Sequence, residues 1–160
     1  MNRALHVVFV EPEIHWNTGN VGRTCLALGA QLHLVKPLGF SLDDRQVKRA
    51  GLDYWPHVKP VVWPDFAHFE EALPQLGEAF FFTTGGQRDL WDVSFPKPTV
   101  LVFGRESVGL SPEICARYAD RSVSIPMPAD GGAAVVRSLN LSTASGIAMY
   151  EVVRQWLHGV

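Results

Sequence analysis

Apolar positions along the chain fall into short, nearly unbroken runs separated by longer segments in which apolar residues recur every three or four places. The runs at 5–10, 32–35, 79–83, 100–103 and 122–125 have strand length and are rich in Val, Leu and Phe, which predicts strands buried on both faces. The intervening segments 18–29, 43–50, 65–76, 111–118 and 141–157 predict helices. Ser111, Pro112 and Glu113 make a helix start, with a capping hydroxyl, Pro at the first position and an acid in the first turn. Strand and helix in alternation predict an α/β fold, a mostly parallel, Rossmann-like sheet with helices on both faces, formed by a single domain over residues 1–160.

The last predicted helix departs from ordinary amphipathicity. Glu151, Arg154, Gln155 and His158 form one narrow polar stripe, and Leu141, Ala144, Ile147, Ala148, Met149, Val152, Val153, Trp156 and Leu157 cover nearly all the rest. A helix apolar over so much of its circumference is expected to be buried on more than one side. It is predicted to pack on its own sheet and to form the contact of a homodimer.

Composition narrows the class. The 160 residues are 47% hydrophobic and 19% charged, with 14 Lys plus Arg, 16 Asp plus Glu and a formal net charge of -2; this is a globular composition and excludes collagen, coiled coil and disorder. Cys25 and Cys115 are far apart and in no C-x-x-C pair, which points to a reducing compartment and a cytoplasmic location. The apolar run at 4–10 is broken by His6 and closed by Glu11, too short for a membrane span. Residues 1–60 carry 7 basic and 5 acidic side chains, a balance of +2, and residues 61–160 carry 7 and 11, a balance of -4. Any RNA contact must therefore come from a local patch. Arg45, Lys48 and Arg49, at i, i+3 and i+4, would share one face of a short helix and are the candidate.

Several chemistries are disfavoured by spacing. The six histidines form no H-E-x-x-H pair and no Cys/His cluster, so no metal is expected. The segment 104–111 has the G-x-x-x-x-G spacing of a phosphate loop, but Leu110 stands where that loop needs Lys, and Ser107 is one position away from a nucleophile elbow. What remains is a set of polar, glycine-rich clusters at predicted strand ends: 17–24, 83–86, 103–110 and 125–142. Ligands of open α/β sheets bind at those carboxyl ends, so the clusters predict a small-molecule site.

These clusters carry a resemblance. Glu11-Pro12-Glu13-Ile14 with Asn17-Thr18-Gly19-Asn20 and Arg23-Thr24-Cys25, then Pro37-Leu38-Gly39-Phe40, Arg49-Ala50-Gly51-Leu52-Asp53-Tyr54, Phe103-Gly104-Arg105-Glu106 with Gly109-Leu110, and Ile125-Pro126-Met127 with Arg137-Ser138-Leu139-Asn140-Leu141-Ser142 resemble the SPOUT superfamily of RNA methyltransferases. Within it the chain is most similar to the small single-domain enzymes that methylate the ribose 2′ oxygen of the tRNA wobble nucleotide. The resemblance implies a C-terminal trefoil knot, a homodimer, tRNA as partner and S-adenosylmethionine as methyl donor. It implies donor contacts from Phe82, Thr83, Gly104, Ile125, Met127, Ser138 and Leu139, catalytic roles for Arg23, Ser138 and Asn140, and substrate contacts from Asn17, Asn20 and Glu106. Two positions depart from its pattern: Val108, where relatives often carry a basic or polar residue, and a longer loop over residues 128–136. Ribose methylation of ribosomal RNA or of another tRNA position, and a noncatalytic RNA-binding module, are the alternative readings.

Overall fold

A computed structural model describes residues 3–49, 52–129 and 135–160. Seven strands, β1 (Leu5–Val10), β2 (Gln31–Val35), β3 (Val61–Trp63), β4 (Glu78–Phe82), β5 (Arg88–Asp89), β6 (Thr99–Phe103) and β7 (Ser122–Ser124), form one sheet in the order β3-β2-β1-β6-β4-β7-β5. Among the described residues, every pairing between these strands is parallel. The helices are α1 (His15–Leu28), α2 (Asp44–Arg49), α3 (Trp55–Val58), α4 (Phe66–Leu76), α5 (Pro112–Arg117) and α6 (Leu141–His158).

Strand alternation sorts the core onto two faces. Leu5, Val7 and Phe9 of β1, Leu32 and Leu34 of β2, and Phe80 and Phe82 of β4 point to the side covered by Val21 and Cys25 of α1, Trp55 of α3 and Met149 and Val152 of α6. Their neighbours Val8, Val10, Val35, Phe81, Val100 and Val102 point to the other side, covered by Phe69 and Leu73 of α4 and by Ile114 of α5. The central strands of a sheet sandwiched in this way have no solvent face, which explains their lack of polar alternation.

The five predicted strands and five predicted helices all form, with shifted ends. Ser111 and Asp65 cap α5 and α4 by accepting from the backbone N–H three residues on. Three elements carry no sequence pattern: β3, three residues between Pro60 and Pro64; β5, two residues; and α3, one turn. The polar stripe of α6 needs correction. Gln155 is 5% exposed; its amide donates to the Val93 carbonyl and accepts from the Phe95 N–H, at 2.8 and 2.9 Å. The outward face instead carries Ile147, Tyr150 and Leu157 beside Arg154. The knot and the long loop over 128–136 both depend on the path through residues 130–134, which lie outside the described residues. No described helix is long and apolar enough to cross a membrane.

Candidate functional site

Chain order and sheet order part company at β6, which is inserted between β1 and the earlier strand β4. The loops leaving the carboxyl ends of β6, β4 and β7 therefore converge, and open α/β sheets bind ligands at such places. They meet the segment before α6 and the first turn of α1 around a cavity of about 640 Å³.

Its walls follow from the sequence. Phe82 and Phe103, at the ends of adjacent strands, stack with ring centres 4.7 Å apart. Beyond Phe103 the chain folds back on itself, with the Gly109 N–H donating to the Arg105 carbonyl at 2.9 Å and Gly109 at φ 70°. A Cβ on Gly104 would lie 2.0 Å from the Gly109 carbonyl carbon, so only glycine lets the two strands of this turn touch. Ile125 and Met127 enter from the β7 side, and Ser138 and Leu139 from the segment before α6.

A hydrogen-bonded chain ties three of these segments together. The Glu106 carboxylate accepts from the backbone N–H of Glu13 and of Ile14, at 2.7 and 3.2 Å, and from Asn17 Nδ2 at 3.2 Å. Asn17 Oδ1 accepts from Asn140 Nδ2 at 3.0 Å, and Asn140 Oδ1 accepts from the Thr143 N–H as the cap of α6. A carboxylate only accepts, so Asn17 must present its NH₂ to Glu106 and its oxygen to Asn140. Both amide orientations are thereby fixed. Glu13 returns the clasp, accepting from the Ser107 N–H and hydroxyl at 2.9 and 2.6 Å, and those bonds hold its carboxyl below the usual range.

This network explains why α1 begins at His15 rather than at Thr18. Thr18, where the predicted helix starts, and Asn17 before it both lie inside the helix. The N-cap is Ile14, which offers no side-chain cap, and the anion at the helix start comes from Glu106, where the positive end of the helix favours it. Sequence reasoning missed Glu13 and Ile14 for the same reason: their role is backbone donation to a residue 92 or more positions away.

All seven expected donor contacts, Phe82, Thr83, Gly104, Ile125, Met127, Ser138 and Leu139, line this cavity, and so do Asn17, Glu106 and Asn140. Arg23 does not. It is exposed on α1, its guanidinium 5.8 Å from the Tyr54 ring centre. Asn20 and Arg49 line a second cavity on the other side of the α1 start. Arg45 and Lys48 are exposed on α2.

Known proteins resemble this chain in sequence and in fold. A tRNA (cytidine(34)-2'-O)-methyltransferase of Burkholderia pseudomallei is 43% identical over 152 residues, covering 94% of each chain. A solved structure concerned with the 2-OH methylation of C/U34 on tRNA superposes with TM-score 0.86 at 47% identity and covers 100% of both chains. The SpoU methyltransferase AviRb from Streptomyces viridochromogenes, in complex with the cofactor AdoMet, gives TM-score 0.79 at 28% identity; 98% of the present chain matches 59% of that one. Residues 4–150 match the SpoU rRNA Methylase family, and the chain belongs to that family.

Proposed function

We propose that the protein methylates the ribose 2′ oxygen of the wobble nucleotide, cytidine or uridine, of a tRNA, using S-adenosylmethionine held in the cavity at the ends of β4, β6 and β7. The observation that carries this reading is the convergence of all seven expected donor contacts, from four separate segments, on one cavity. The relatives' activity supports the substrate, and the AdoMet complex of AviRb supports the donor.

The cavity suits the group in chemistry as well as size. Phe82, Ile125 and Leu139 offer apolar surface for an adenosine, Thr83 and Ser138 offer hydroxyls, and the turn after Gly104 brings backbone close. The bound donor supplies an already activated methyl group. The protein's task is then to place the ribose hydroxyl, which Asn17, Glu106 and Asn140 serve by locking the cavity rim. The Arg23 guanidinium acts as a cation, stabilising negative charge that builds on the 2′ oxygen and clamping an adjacent phosphate. The hydroxyl proton leaves to a phosphate oxygen or to water.

Because Arg23 stands outside its own chain's cavity, the reading places it at the cavity of a second copy. The exposed Ile147, Tyr150 and Leu157 face of α6, which packs beside α1, is the surface for that homodimer. The test is methyl transfer from labelled donor to unmodified tRNA, with the labelled nucleotide mapped. Label on the ribose of the wobble nucleotide is expected, and Arg23→Ala should lose about a hundredfold or more in rate while donor affinity stays within a few fold. Label on a base, or no transfer at all, refutes the reading.

A further inference from the structure

The first turn of α1 is a wall shared by two cavities. Ile14 and Asn17 line the one described above, whereas His15, Trp16, Thr18 and Asn20, interleaved with them, line a second of about 540 Å³. Its remaining walls come from the 40–42 loop, from α2, and from Leu52 and Trp55. That volume lies within the roughly 300–1,000 Å³ typical of small-molecule sites.

Three features of this cavity call for a ligand. Trp16, a lining residue, is 62% exposed, its ring leaning on His15 with centres 4.7 Å apart, and an exposed indole offers a flat face on which a base can stack. Thr18 is 1% exposed, yet its hydroxyl has no hydrogen-bond partner among the described residues. A threonine inside a helix ordinarily returns that hydroxyl to a carbonyl one turn back, and a buried polar group left unpaired is costly. Finally, the polar lining consists of hydroxyls, the amides of Asn20 and Gln46, the His15 ring and the Arg49 guanidinium, with no carboxylate among the lining residues. Flat rings, amides, hydroxyls and a cation without an acid are the groups that recognise an unpaired nucleotide, by stacking, by hydrogen bonds to the base edge and by contact with phosphate.

We propose that this second cavity receives the base of an unpaired nucleotide in the RNA, one other than the nucleotide whose ribose is methylated. The base stacks on Trp16, Thr18 and the amides of Asn20 and Gln46 read its edge, and Arg49, with Arg45 and Lys48 on the same short helix, meets the flanking phosphates. The inference rests on the RNA methyl-transfer reading and deepens it by separating the reacting nucleotide from the recognised one. The two cavities are one helix apart, about 10 Å, a span that a few nucleotides bridge.

The test uses the full chain and anticodon stem–loop RNAs in which one loop nucleotide at a time is made abasic. Dissociation constants and methyl-transfer kinetics are measured for the wild type, Trp16→Ala and Thr18→Val. In the wild type, removal of one base other than that of the methylated nucleotide should weaken binding about tenfold, the loss of one stacked base. Trp16→Ala should weaken binding of the intact RNA by a similar factor and erase the difference between the intact and that abasic RNA. Thr18→Val keeps shape and volume and removes the unpaired hydroxyl, so it should weaken RNA binding with thermal stability unimpaired and donor affinity unchanged. If the wild type transfers methyl groups to RNA but Trp16→Ala binds intact RNA as tightly, or keeps the full abasic penalty, the inference is overturned while the function stands. If the wild type transfers none, the function itself falls, and this inference with it.

Discussion

Acid should unfold this protein through a pair of histidines in its core. His6 on β1 and His33 on β2 are 4% and 2% exposed, with His6 Nδ1 3.0 Å from His33 Nε2. Trp63 donates its indole N–H to His33 Nδ1 at 3.1 Å. An indole nitrogen only donates, so His33 must be neutral with its proton on Nε2, donating to His6 Nδ1. A further proton on His6 Nδ1 would set two N–H groups against each other and bury a charge. Burial, with the charge of His6 as a lesser cause, pushes His33 down to about 3; burial also lowers His6, with the Arg3 backbone opposing and the Arg3 charge assisting. Both folded values lie below the unfolded value near 6.5, so the stabilisation is complete above that pH and is lost as the unfolded chain takes up protons below it. The slope is about 1.4 kcal/mol per pH unit per site, so between about pH 7.5 and 5.0 His33 alone removes about 2 kcal/mol, and His6 adds in the same direction. Urea unfolding at the two pH values reads the difference, in a range where most carboxylates stay ionised. The His6→Leu, His33→Leu double variant should lose most of that dependence. A wild-type stability that is flat across this interval refutes the reasoning.

Two further substitutions probe the architecture. Gly104→Ala drives a Cβ into the backbone of Gly109 and Leu110, at 2.0 and 2.1 Å, and since backbone cannot yield as a flexible side chain does, donor binding measured by calorimetry should be abolished or fall well over tenfold. Gln155→Leu leaves the Val93 carbonyl and Phe95 N–H unpaired in the core, which should cost about 2–5 kcal/mol in urea unfolding, the penalty of two buried unsatisfied groups.

How much of this was legible in the chain depends on where each residue's partner lies. β1, β4 and β6 are buried on both faces, and their continuous Val, Leu and Phe runs announce that directly. The caps Ser111 and Asp65 act on donors three residues away, inside any reading window. β3 escapes because its three residues lie at the sheet edge, two of them exposed and flanked by prolines, and its place is set by pairing with β2. The strand-end clusters identified the cavity because glycine and asparagine mark turns, and in a parallel sheet all such turns at one end of the strands lie together.

The misreadings share one cause. Gln155 falls on the polar stripe of α6, and polar residues at helical spacing ordinarily face water; Asn17 falls just before the predicted helix 18–29, outside it. Both lie within helices and satisfy partners 62 and 123 positions away. A buried amide spends its hydrogen bonds wherever the fold brings an unpaired donor or acceptor, and nothing in local spacing encodes that destination. The same logic gives Thr18 its weight: the amides of Asn17 and Gln155 have found their partners within the chain, and the Thr18 hydroxyl, buried as deeply and lining a cavity, has none among the described residues. In a molecule that sends its interior polar groups so far to be satisfied, the exception marks a place where a partner from outside the chain completes the set.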